Sequence, residues 1–394
     1  MPLTRKLGSR LSVGLMSGTS LDGIDAALVR ISGEMENPKV KLLAFRTYPY
    51  PINLQAELLN ISEGGMVSAS TLSDVNFRLG ILFGNAVTRL CRSNRVKLSS
   101  LHCIASHGQT VFHLGHHIKG KKNRGQAPST LQLGEPSLIA GHCKVTTVAD
   151  FRPADMGQGG EGAPLVPLID YLLFRKKKLG TITLNLGGIA NITIIPPNSK
   201  ESDVFGFDTG PGNMVIDALV RLLTHGKKLM DRNGCIASRG CIVPQILKKS
   251  LSHPFLRLVP PKSAGREEFG SVFVEKFLKS KIGIRPQDLI ATATELTVTT
   301  IVNAINQFVL PVTSIERIII SGGGAHNKHL MHRLGVMLPN LRLHKSGEFG
   351  IPEDAKEAIS FALLAERTLA GLPGNIPAAT GATRPVPLGK IIYA

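Results

Sequence analysis

The stretch GLMSGTSLDGID at residues 14–25 joins two apolar runs, Leu11–Met16 and Ile24–Ile31. Two apolar runs connected by a short turn rich in glycine, serine and aspartate predict a β-hairpin. Glycine lacks a Cβ, so backbone N–H groups in such a turn can approach an anion closely, and the hydroxyls add further donors. The stretch therefore predicts a hairpin whose tip cradles phosphate.

A second hairpin of the same kind opens about 170 residues later, where Gly187–Gly188 joins the apolar runs Thr181–Leu186 and Ile189–Ile195. Two further glycine-rich turns, DTGPGN at 208–213 and SGGG at 321–324, follow short apolar runs and precede predicted helices, whose N-termini favour anions. A single turn of this kind is more often structural. Four of them at strand ends favour a nucleotide site in a duplicated α/β architecture.

Composition limits the function classes. The 394 residues are 43% hydrophobic and contain 46 Lys and Arg, 28 Asp and Glu, no Trp and five Cys. We attribute the net charge of +18 to a solvated surface, because the basic clusters at 119–124 and 175–178 lack the interleaved aromatics of a nucleic-acid site. No apolar run is long enough to span a bilayer, and no CxxC occurs. We expect reduced thiols, a cytoplasmic location and no nucleic-acid or membrane partner.

Two other ligand classes are disfavoured. No GxGxxG follows the first strand, and GHHIKGKK at 115–122 ends in Lys122, where a P-loop needs Ser or Thr to bind Mg²⁺. A zinc site built from His107, His113, His116 and His117 would also need suitable geometry and a carboxylate or thiolate nearby. We expect a basic loop and satisfied histidines there.

Nine motifs, in order, resemble the anhydro-N-acetylmuramic acid kinase family of the actin/hexokinase/Hsp70 superfamily. They are residues 14–25, ASHGQT at 105–110, DFRPAD at 150–155, GGEGAPLVP at 159–167, LNLGGIAN at 184–191, DTGPGN at 208–213, PPKSAGR at 260–266, SGGGAHN at 321–327 and DAKEA at 354–358.

The resemblance implies a two-domain α/β fold of the actin/hexokinase/Hsp70 type, which is ribonuclease H-like, with an ATP and sugar cleft between the lobes. We place the domains at 1–155 and 156–394 and expect the last helix to pack back on the first lobe. The family's reaction uses ATP to phosphorylate O6 of 1,6-anhydro-N-acetylmuramic acid while water opens the anhydro bridge. N-acetylmuramic acid 6-phosphate and ADP result, in recycling of cell-wall peptidoglycan. Small molecules are the expected partners, and the family's common dimers suggest a homodimer.

The family match assigns Asp155 as the catalytic base, with a helix or turn cap as the alternative. It assigns to ATP a set of turn residues: Gly18, Thr19, Ser20, Leu21, Asp22, Gly23, Ile24, Asp25, Gly187, Gly188, Gly210, Gly322, Gly323 and Gly324. Carboxylate chemistry makes Asp22 and Asp208 candidate Mg²⁺ ligands. The alternative for Asp22 and Asp25 is a structural role in the hairpin turn.

We expect Ser106, His107, Gln109 and Glu357 to contact the sugar. Without Trp, a tryptophan platform under the ring is impossible, so recognition must rely more on hydrogen bonds. Lys262 and Arg266 either bind the lactyl carboxylate or ATP, or are surface charges. The basic stretch 116–126 and Glu135 depart from the family pattern at the expected rim of the sugar pocket.

Two alternatives to the anhydrosugar kinase stay open. An ordinary sugar kinase of the same fold would use Asp155 to deprotonate a sugar hydroxyl and would incorporate no water at C1. A non-catalytic sugar- or nucleic-acid-binding regulator would not depend on Asp155.

Overall fold

The computed structural model describes residues 6–18, 21–116, 127–279 and 283–394. The chain divides into two compact units, here called unit 1 (Met1–Phe174 with Ala355–Ala394) and unit 2 (Arg175–Asp354). The division falls after residue 174 instead of after residue 155. The last 40 residues belong to unit 1, so the helix that the sequence analysis expects to pack back on the first lobe lies there together with the residues that follow it.

The strands of the described ranges, in chain order, are β1 Lys6–Ser17, β2 Gly23–Glu34, β3 Asn37–Pro49, β4 Leu101–Leu114, β5 Ser129–Leu133, β6 Thr147–Ala149, β7 Thr181–Leu186, β8 Ile189–Ile195, β9 Phe205–Pro211, β10 Arg317–Ser321, β11 Arg342–Lys345 and β12 Lys390–Ile392.

The α-helices of the same ranges are α1 Ile52–Ser62, α2 Ala69–Ser93, α3 Pro136–Cys143, α4 Arg152–Met156, α5 Pro167–Phe174, α6 Met214–Leu223, α7 Pro244–Leu251, α8 Arg266–Phe269, α9 Ser271–Leu278, α10 Pro286–Phe308, α11 Lys328–Met337, α12 Lys356–Leu369 and α13 Pro377–Thr380. None of these helices combines the length and apolar character needed to cross a membrane.

The two units repeat one sheet topology. In unit 1, β1, β2 and β3 form an antiparallel meander, and β4 and then β6 add to the other side of β1 as parallel strands. In unit 2, β7, β8 and β9 form the meander, and β10 and then β11 add to β7 in parallel. This repeated order is that of the ribonuclease H-like fold of the actin/hexokinase/Hsp70 superfamily, which confirms the expected fold class.

Helices cover each sheet and pack against it with their apolar faces. In unit 1 the buried face of α2, which includes Leu79 and Phe83, packs into a core shared with β1, β2 and β4. In unit 2, α10 is buried over most of its length, and two of its buried threonines, Thr292 and Thr294, donate to carbonyls four residues earlier. Buried polar groups without such partners would be costly.

The C-terminal helix α12 packs against β1 at a glycine. A Cβ on Gly14 would lie 1.8 Å from the carbonyl oxygen of Ala358, so only glycine permits this approach of helix to strand. Lys356 at the start of α12 also forms a buried ion pair with Asp170 of α5, at 2.8 Å. These contacts explain why the chain after residue 354 returns to unit 1.

Three local expectations need correction. β4 continues to Leu114, so the predicted sugar residues after Ser106 lie inside a strand. The segment from Asp208 to Pro211 is the end of β9 and not a free turn. After Ser321 the chain forms a short 3₁₀ turn at Gly323–His326, and α11 begins only at Lys328, so the three glycines do not open the helix directly.

Candidate active site

The first glycine turn directs its carbonyl oxygens to partners within unit 1. Leu21 N–H and Gln109 Nε2 donate to the oxygen of Gly18 at 3.3 and 3.2 Å. Tyr50 N–H donates to the oxygen of Asp22 at 3.2 Å. Leu21 is buried and has φ of +57°, a left-handed conformation that is costly for a residue with a side chain. The backbone of this turn is therefore strained, and strained backbone is often found at functional sites.

The acidic residues of this turn differ in environment. Asp22 is exposed, whereas Asp25 is half-buried and accepts a hydrogen bond from Thr47 Oγ1 at 2.5 Å. Ile24 is buried in the core beneath the turn. The predicted contacts Thr19 and Ser20 lie outside the described residues. Gly23 must be glycine, because a Cβ there would lie 2.3 Å from the oxygen of Tyr48.

The second turn, in unit 2, is held mainly by backbone. Gly212 and Asn213 donate their N–H groups to the oxygens of Gly188 and Gly187 at 2.9 and 2.8 Å. A Cβ on Gly212 would lie 2.3 Å from the oxygen of Gly187. The structure thereby brings the motifs at 184–191 and 208–213 together, as the sequence predicted. Gly210 at the end of β9 has φ of +150°.

The third glycine motif, SGGG at 321–324, packs against the strand end that leads into the second turn. Gly322 has φ of +82°, and a Cβ there would lie 2.8 Å from Asn185 Oδ1 and from the oxygen of Leu186. A Cβ on Gly324 would lie 2.6 Å from that of Leu186, while Gly323 is exposed with only Asn213 nearby, at 3.9 Å. Three motifs distant in sequence thus converge around two asparagine side chains, and they leave a surface of bare backbone.

Asp208 is buried on the strand that leads to this cluster. Its Oδ2 accepts hydrogen bonds from Ser263 Oγ at 3.1 Å and from Ala264 N–H at 2.7 Å. These two hydrogen bonds hold the PPKSAGR segment against Asp208. Lys262 is itself buried: its ammonium lies 5.0 to 6.0 Å from the centres of the rings of Phe207, Phe255 and Phe308.

Burial lowers the pKa of Lys262 to about 8, and the nearby charge of Asp208 opposes that shift. The surface-charge alternative therefore does not apply to Lys262. Arg266, the other basic residue of the motif, is half-buried at the start of α8.

Asp155 in α4 is fully buried and has three hydrogen-bond donors. Oδ1 accepts from Asn375 Nδ2 at 2.6 Å and from Thr380 Oγ1 at 2.7 Å, and Oδ2 accepts from Gly162 N–H at 2.8 Å. A Cβ on Gly160 would lie 2.2 Å from Oδ2, so that glycine is needed for the loop to close on the carboxylate. The carboxylate thus joins the motifs at 150–155 and 159–167 to the C-terminal segment.

His107 is buried beside this loop and is uncharged. Its Nδ1 donates to the oxygen of Gly108 at 2.9 Å, and its Nε2 accepts from Arg152 Nε at 3.1 Å. Arg152 also donates to the oxygen of Gly162 at 2.8 Å. Burial, and secondarily the Arg152 charge, lowers the pKa of His107 to about 3. Arg152 therefore connects a predicted sugar residue to the loop that holds Asp155.

The other predicted sugar residues occupy different environments. Ser106 is buried in β4, and its Oγ has no hydrogen-bond partner within the described part of the chain. Gln109 is fully buried, and its amide is engaged with Ser17, Gly18 and Thr110. Glu357 is half-buried in the first turn of α12. Glu135, the departure from the family pattern, caps α3 by accepting from Ser137 N–H at 3.1 Å.

The histidines considered for zinc point to separate partners. His113 lies 3.0 Å from Thr130 Oγ1, and His116 lies 3.1 Å from the oxygen of Met156. His117 and the basic residues at 117–126 fall outside the described ranges. One group of potential metal ligands occurs among the described residues, namely His102, Cys103 and Glu366, but Arg10 and Ser12 already hydrogen-bond to that glutamate.

Sequence reasoning missed several residues that organise the site. Arg152, Asn375 and Thr380 contact the predicted residues His107 and Asp155, and Asn185 and Asn213 line the glycine cluster of unit 2. Arg152 and the two cluster asparagines stand inside the quoted motifs, which was a usable signal. No pattern in the sequence connects residues 375 and 380 to Asp155.

The sites suit a nucleotide. Gly187, Gly188 and Gly322 are half-buried and Gly323 is exposed, so backbone without side chains offers close approach for phosphate or a flat base at these positions. Asp22 in unit 1 and Asp208 in unit 2 each carry carboxylate oxygens of the kind that Mg²⁺ prefers, and one oxygen of Asp208 already has two protein donors. The duplicated fold with a glycine turn in each unit is that of the actin/hexokinase/Hsp70 class.

Comparison with known proteins gives the family within that class. The family model for anhydro-N-acetylmuramic acid kinase matches residues 10–394. A relative of that name from Caldanaerobacter subterraneus subsp. tengcongensis is 42% identical over 386 residues, which cover 97% of this chain and 96% of the relative. Relatives of the same name from Bacillus thuringiensis subsp. konkukian and Francisella tularensis subsp. novicida are 41% and 42% identical, each covering 97% of this chain and 98% of its own length. The chain belongs to the anhydro-N-acetylmuramic acid kinase family.

Proposed function

We propose that this protein is an ATP-dependent kinase that hydrolyses the anhydro bridge of 1,6-anhydro-N-acetylmuramic acid and phosphorylates O6. The products are N-acetylmuramic acid 6-phosphate and ADP, and the reaction belongs to peptidoglycan recycling. Family membership across residues 10–394 is the observation that carries the proposal. The glycine turns support it, because positioning and charge neutralisation of phosphate are what phosphoryl transfer chiefly requires.

Asp155 is proposed as the general base. It takes a proton from a water that attacks C1, the bond from C1 to the bridging oxygen breaks, and that oxygen, which becomes O6, receives the γ-phosphoryl group. A carboxylate can accept about four hydrogen bonds. Three are made here, two on Oδ1 and one on Oδ2, which leaves one acceptor position on Oδ2 for the water. Because Asp155 is fully buried, the loop at 160–162 must move aside to admit the water.

ATP and Mg²⁺ are assigned to the glycine turns. The turn at 18–25 together with Gly187, Gly188 and Gly210 is proposed to contact phosphate, and Gly322, Gly323 and Gly324 to contact adenosine. Asp22 and Asp208 are the proposed residues for Mg²⁺, which when bound would neutralise phosphate charge. Asp22 is exposed, whereas Asp208 is buried and its Oδ2 already accepts two hydrogen bonds.

Sugar recognition is assigned to Ser106, His107 and Glu357. The Ser106 hydroxyl is buried without a partner in the described structure, and a sugar hydroxyl or amide would satisfy it. Neutral His107 is oriented by Arg152 and presents no competing charge. Glu357 lies in the first turn of the helix that packs on Gly14, which fixes its position relative to β1.

The proposal is tested by incubating the protein with Mg-ATP and the anhydrosugar and following both products by mass spectrometry. We expect stoichiometric ADP and an N-acetylmuramic acid phosphate that carries the mass of one added water. Unphosphorylated sugar after prolonged incubation, with ATP intact, would overturn the assignment. A phosphorylated product without added water would favour the ordinary sugar kinase.

We also propose a cytoplasmic location and small-molecule partners without nucleic acid. Five cysteines without disulfides, three of them buried, support a reducing compartment. A homodimer is proposed from the family resemblance alone. Light scattering of the purified protein tests it, and a monomer mass at micromolar concentration would contradict it.

A further inference from the structure

We infer that Gln109 is a positioning residue for the first glycine turn, acting on bound phosphate through the turn and not on the sugar. The inference rests on the proposed function. Gln109 lies on β4, where it pairs in register with Ser17, the last residue of β1 before the turn. It is fully buried, and unlike Ser106 its polar atoms all have protein partners.

Both the NH₂ group and the oxygen of the Gln109 amide form hydrogen bonds. Nε2 donates to the oxygens of Gly18 and Thr110 at 3.2 and 3.1 Å, which exhausts its two protons. Oε1 lies 2.6 Å from Ser17 Oγ. A sugar contact would require breaking at least one of these bonds, and each would leave a buried polar group unsatisfied.

Ser17 extends this hold to the far side of the turn. Its Oγ lies 2.7 Å from the oxygen of Gly23 as well as 2.6 Å from Gln109, so its single proton serves one of the two acceptors at a time. Tyr50 donates its hydroxyl proton to Ser17 Oγ at 2.9 Å. Burial raises the pKa of Tyr50 well above its usual range, so this donor keeps its proton at neutral pH.

These hydrogen bonds affect the electrostatic environment of a bound phosphate. Carbonyl oxygens carry partial negative charge, and any that faced a phosphate would repel it. In this turn the oxygens of Gly18 and Asp22 accept hydrogen bonds from Gln109 and Tyr50, and the oxygen of Gly23 lies 2.7 Å from Ser17 Oγ. These contacts keep the carbonyl oxygens from turning toward a bound anion, which favours a phosphate cradle built from N–H groups.

The test compares phosphate-dependent with phosphate-independent binding. ATP and adenosine are titrated separately by calorimetry into wild-type protein, Gln109→Met and the control Gln132→Met. Gln132 is the matched control because it lies on the neighbouring strand β5 and donates to Thr110 and Thr130 instead of the turn. Methionine keeps the length of the side chain and removes the amide.

We expect Gln109→Met to weaken ATP binding about tenfold and to leave adenosine binding within about twofold of wild type. Gln132→Met should bind both ligands as wild type does. Equal ATP affinity in Gln109→Met and wild type would overturn the inference while leaving the kinase proposal intact. So would parallel losses for ATP and adenosine, which would show a general structural defect. Failure of the wild type to bind ATP would instead overturn the proposed function.

If Gln109→Met does not fold, Tyr50→Phe decides the matter. It removes one hydroxyl that acts on the same turn through Ser17. We expect a smaller loss, about threefold for ATP and none for adenosine. No change in the ATP to adenosine affinity ratio would overturn the inference.

Discussion

The two units share one topology but hold their glycine turns by different means. In unit 1 the turn is held from below by side chains, with Gln109 and Ser17 binding its carbonyl oxygens. In unit 2 the equivalent turn is held by backbone, with Gly212 and Asn213 N–H groups on Gly188 and Gly187. The first turn should therefore be sensitive to loss of polar side chains, and the second to any added Cβ.

Of the variants proposed, Asp155→Asn should have the largest effect, because it tests whether a side chain of unit 1 acts as the general base. We expect kcat to fall about 10²–10⁴-fold, the usual contribution of a general base. Steady-state kinetics measures this. Asparagine also turns an NH₂ group toward donors, so stability must be measured in parallel by urea unfolding.

Thr380→Val tests whether Asp155 anchors the loop independently of its role in catalysis. The substitution removes one hydrogen-bond donor to Asp155 and keeps the carboxylate. We expect a loss of stability of about 1–3 kcal/mol with kcat within about tenfold of wild type. If both variants lost activity in proportion to their loss of stability, Asp155 would be an anchor of the loop and not a base.

Gly212→Ala should break the backbone-held turn of unit 2. The new methyl group would lie 2.3 Å from the oxygen of Gly187, and backbone cannot easily move away. We expect a loss of stability of about 2–4 kcal/mol and at least tenfold weaker ATP binding. Urea unfolding and calorimetry give the two values.

Gly335→Ala is the matched control in the same unit. This glycine lies in α11, and a Cβ there would lie 3.7 Å from Leu343 Cδ1, an ordinary van der Waals distance. Alanine should therefore raise stability by up to about 1 kcal/mol. Wild-type behaviour of Gly212→Ala would show that the close backbone approach in unit 2 is not required.

A smaller effect should appear as a pH dependence in unit 1. The pKa of His107 is about 3 in the folded protein against 6.5 for the ordinary group. Between these values the unfolded chain binds a proton that the folded chain does not, so stability is complete above pH 6.5 and falls as pH drops. The loss from His107 is about 2 kcal/mol at pH 5.

Unfolding at pH 7.5 and pH 5 should show His107→Gln losing about 2 kcal/mol less than wild type between the two pH values. The exposed His225 of unit 2 provides the control, and His225→Gln should keep the wild-type difference. An undiminished difference in His107→Gln would mean that His107 becomes protonated in the folded state.

The sequence predicted local features well where apolar periodicity and glycine turns coincide. Strands β7 and β8 have the predicted bounds, Thr181–Leu186 and Ile189–Ile195, because both are continuous apolar runs bounded by turn residues. The sequence analysis also assigned the glycine motifs of unit 2 to one nucleotide, and the structure brings these motifs together. The family resemblance predicted that the last helix packs on the first lobe, but no sequence pattern indicated the tertiary contact behind it, the approach of Ala358 to Gly14.

The same limit applies to individual side chains. Gln109 was expected to contact sugar because its residue type suits a hydroxyl, but the register of β4 with β1 places it against Ser17. Asp155 was expected at a reacting water, whereas its burial and three donors add an anchoring role that only packing reveals. Residue type gives chemical capacity, and packing decides which partner uses it.

The coupling of bridge hydrolysis to phosphoryl transfer is tested most directly by running the reaction in ¹⁸O-labelled water and locating the label by mass spectrometry. We predict one labelled oxygen on C1 of the N-acetylmuramic acid 6-phosphate, with none in the phosphate. A phosphorylated sugar without label at C1 would contradict the account, because the bridge would then not have been opened by water.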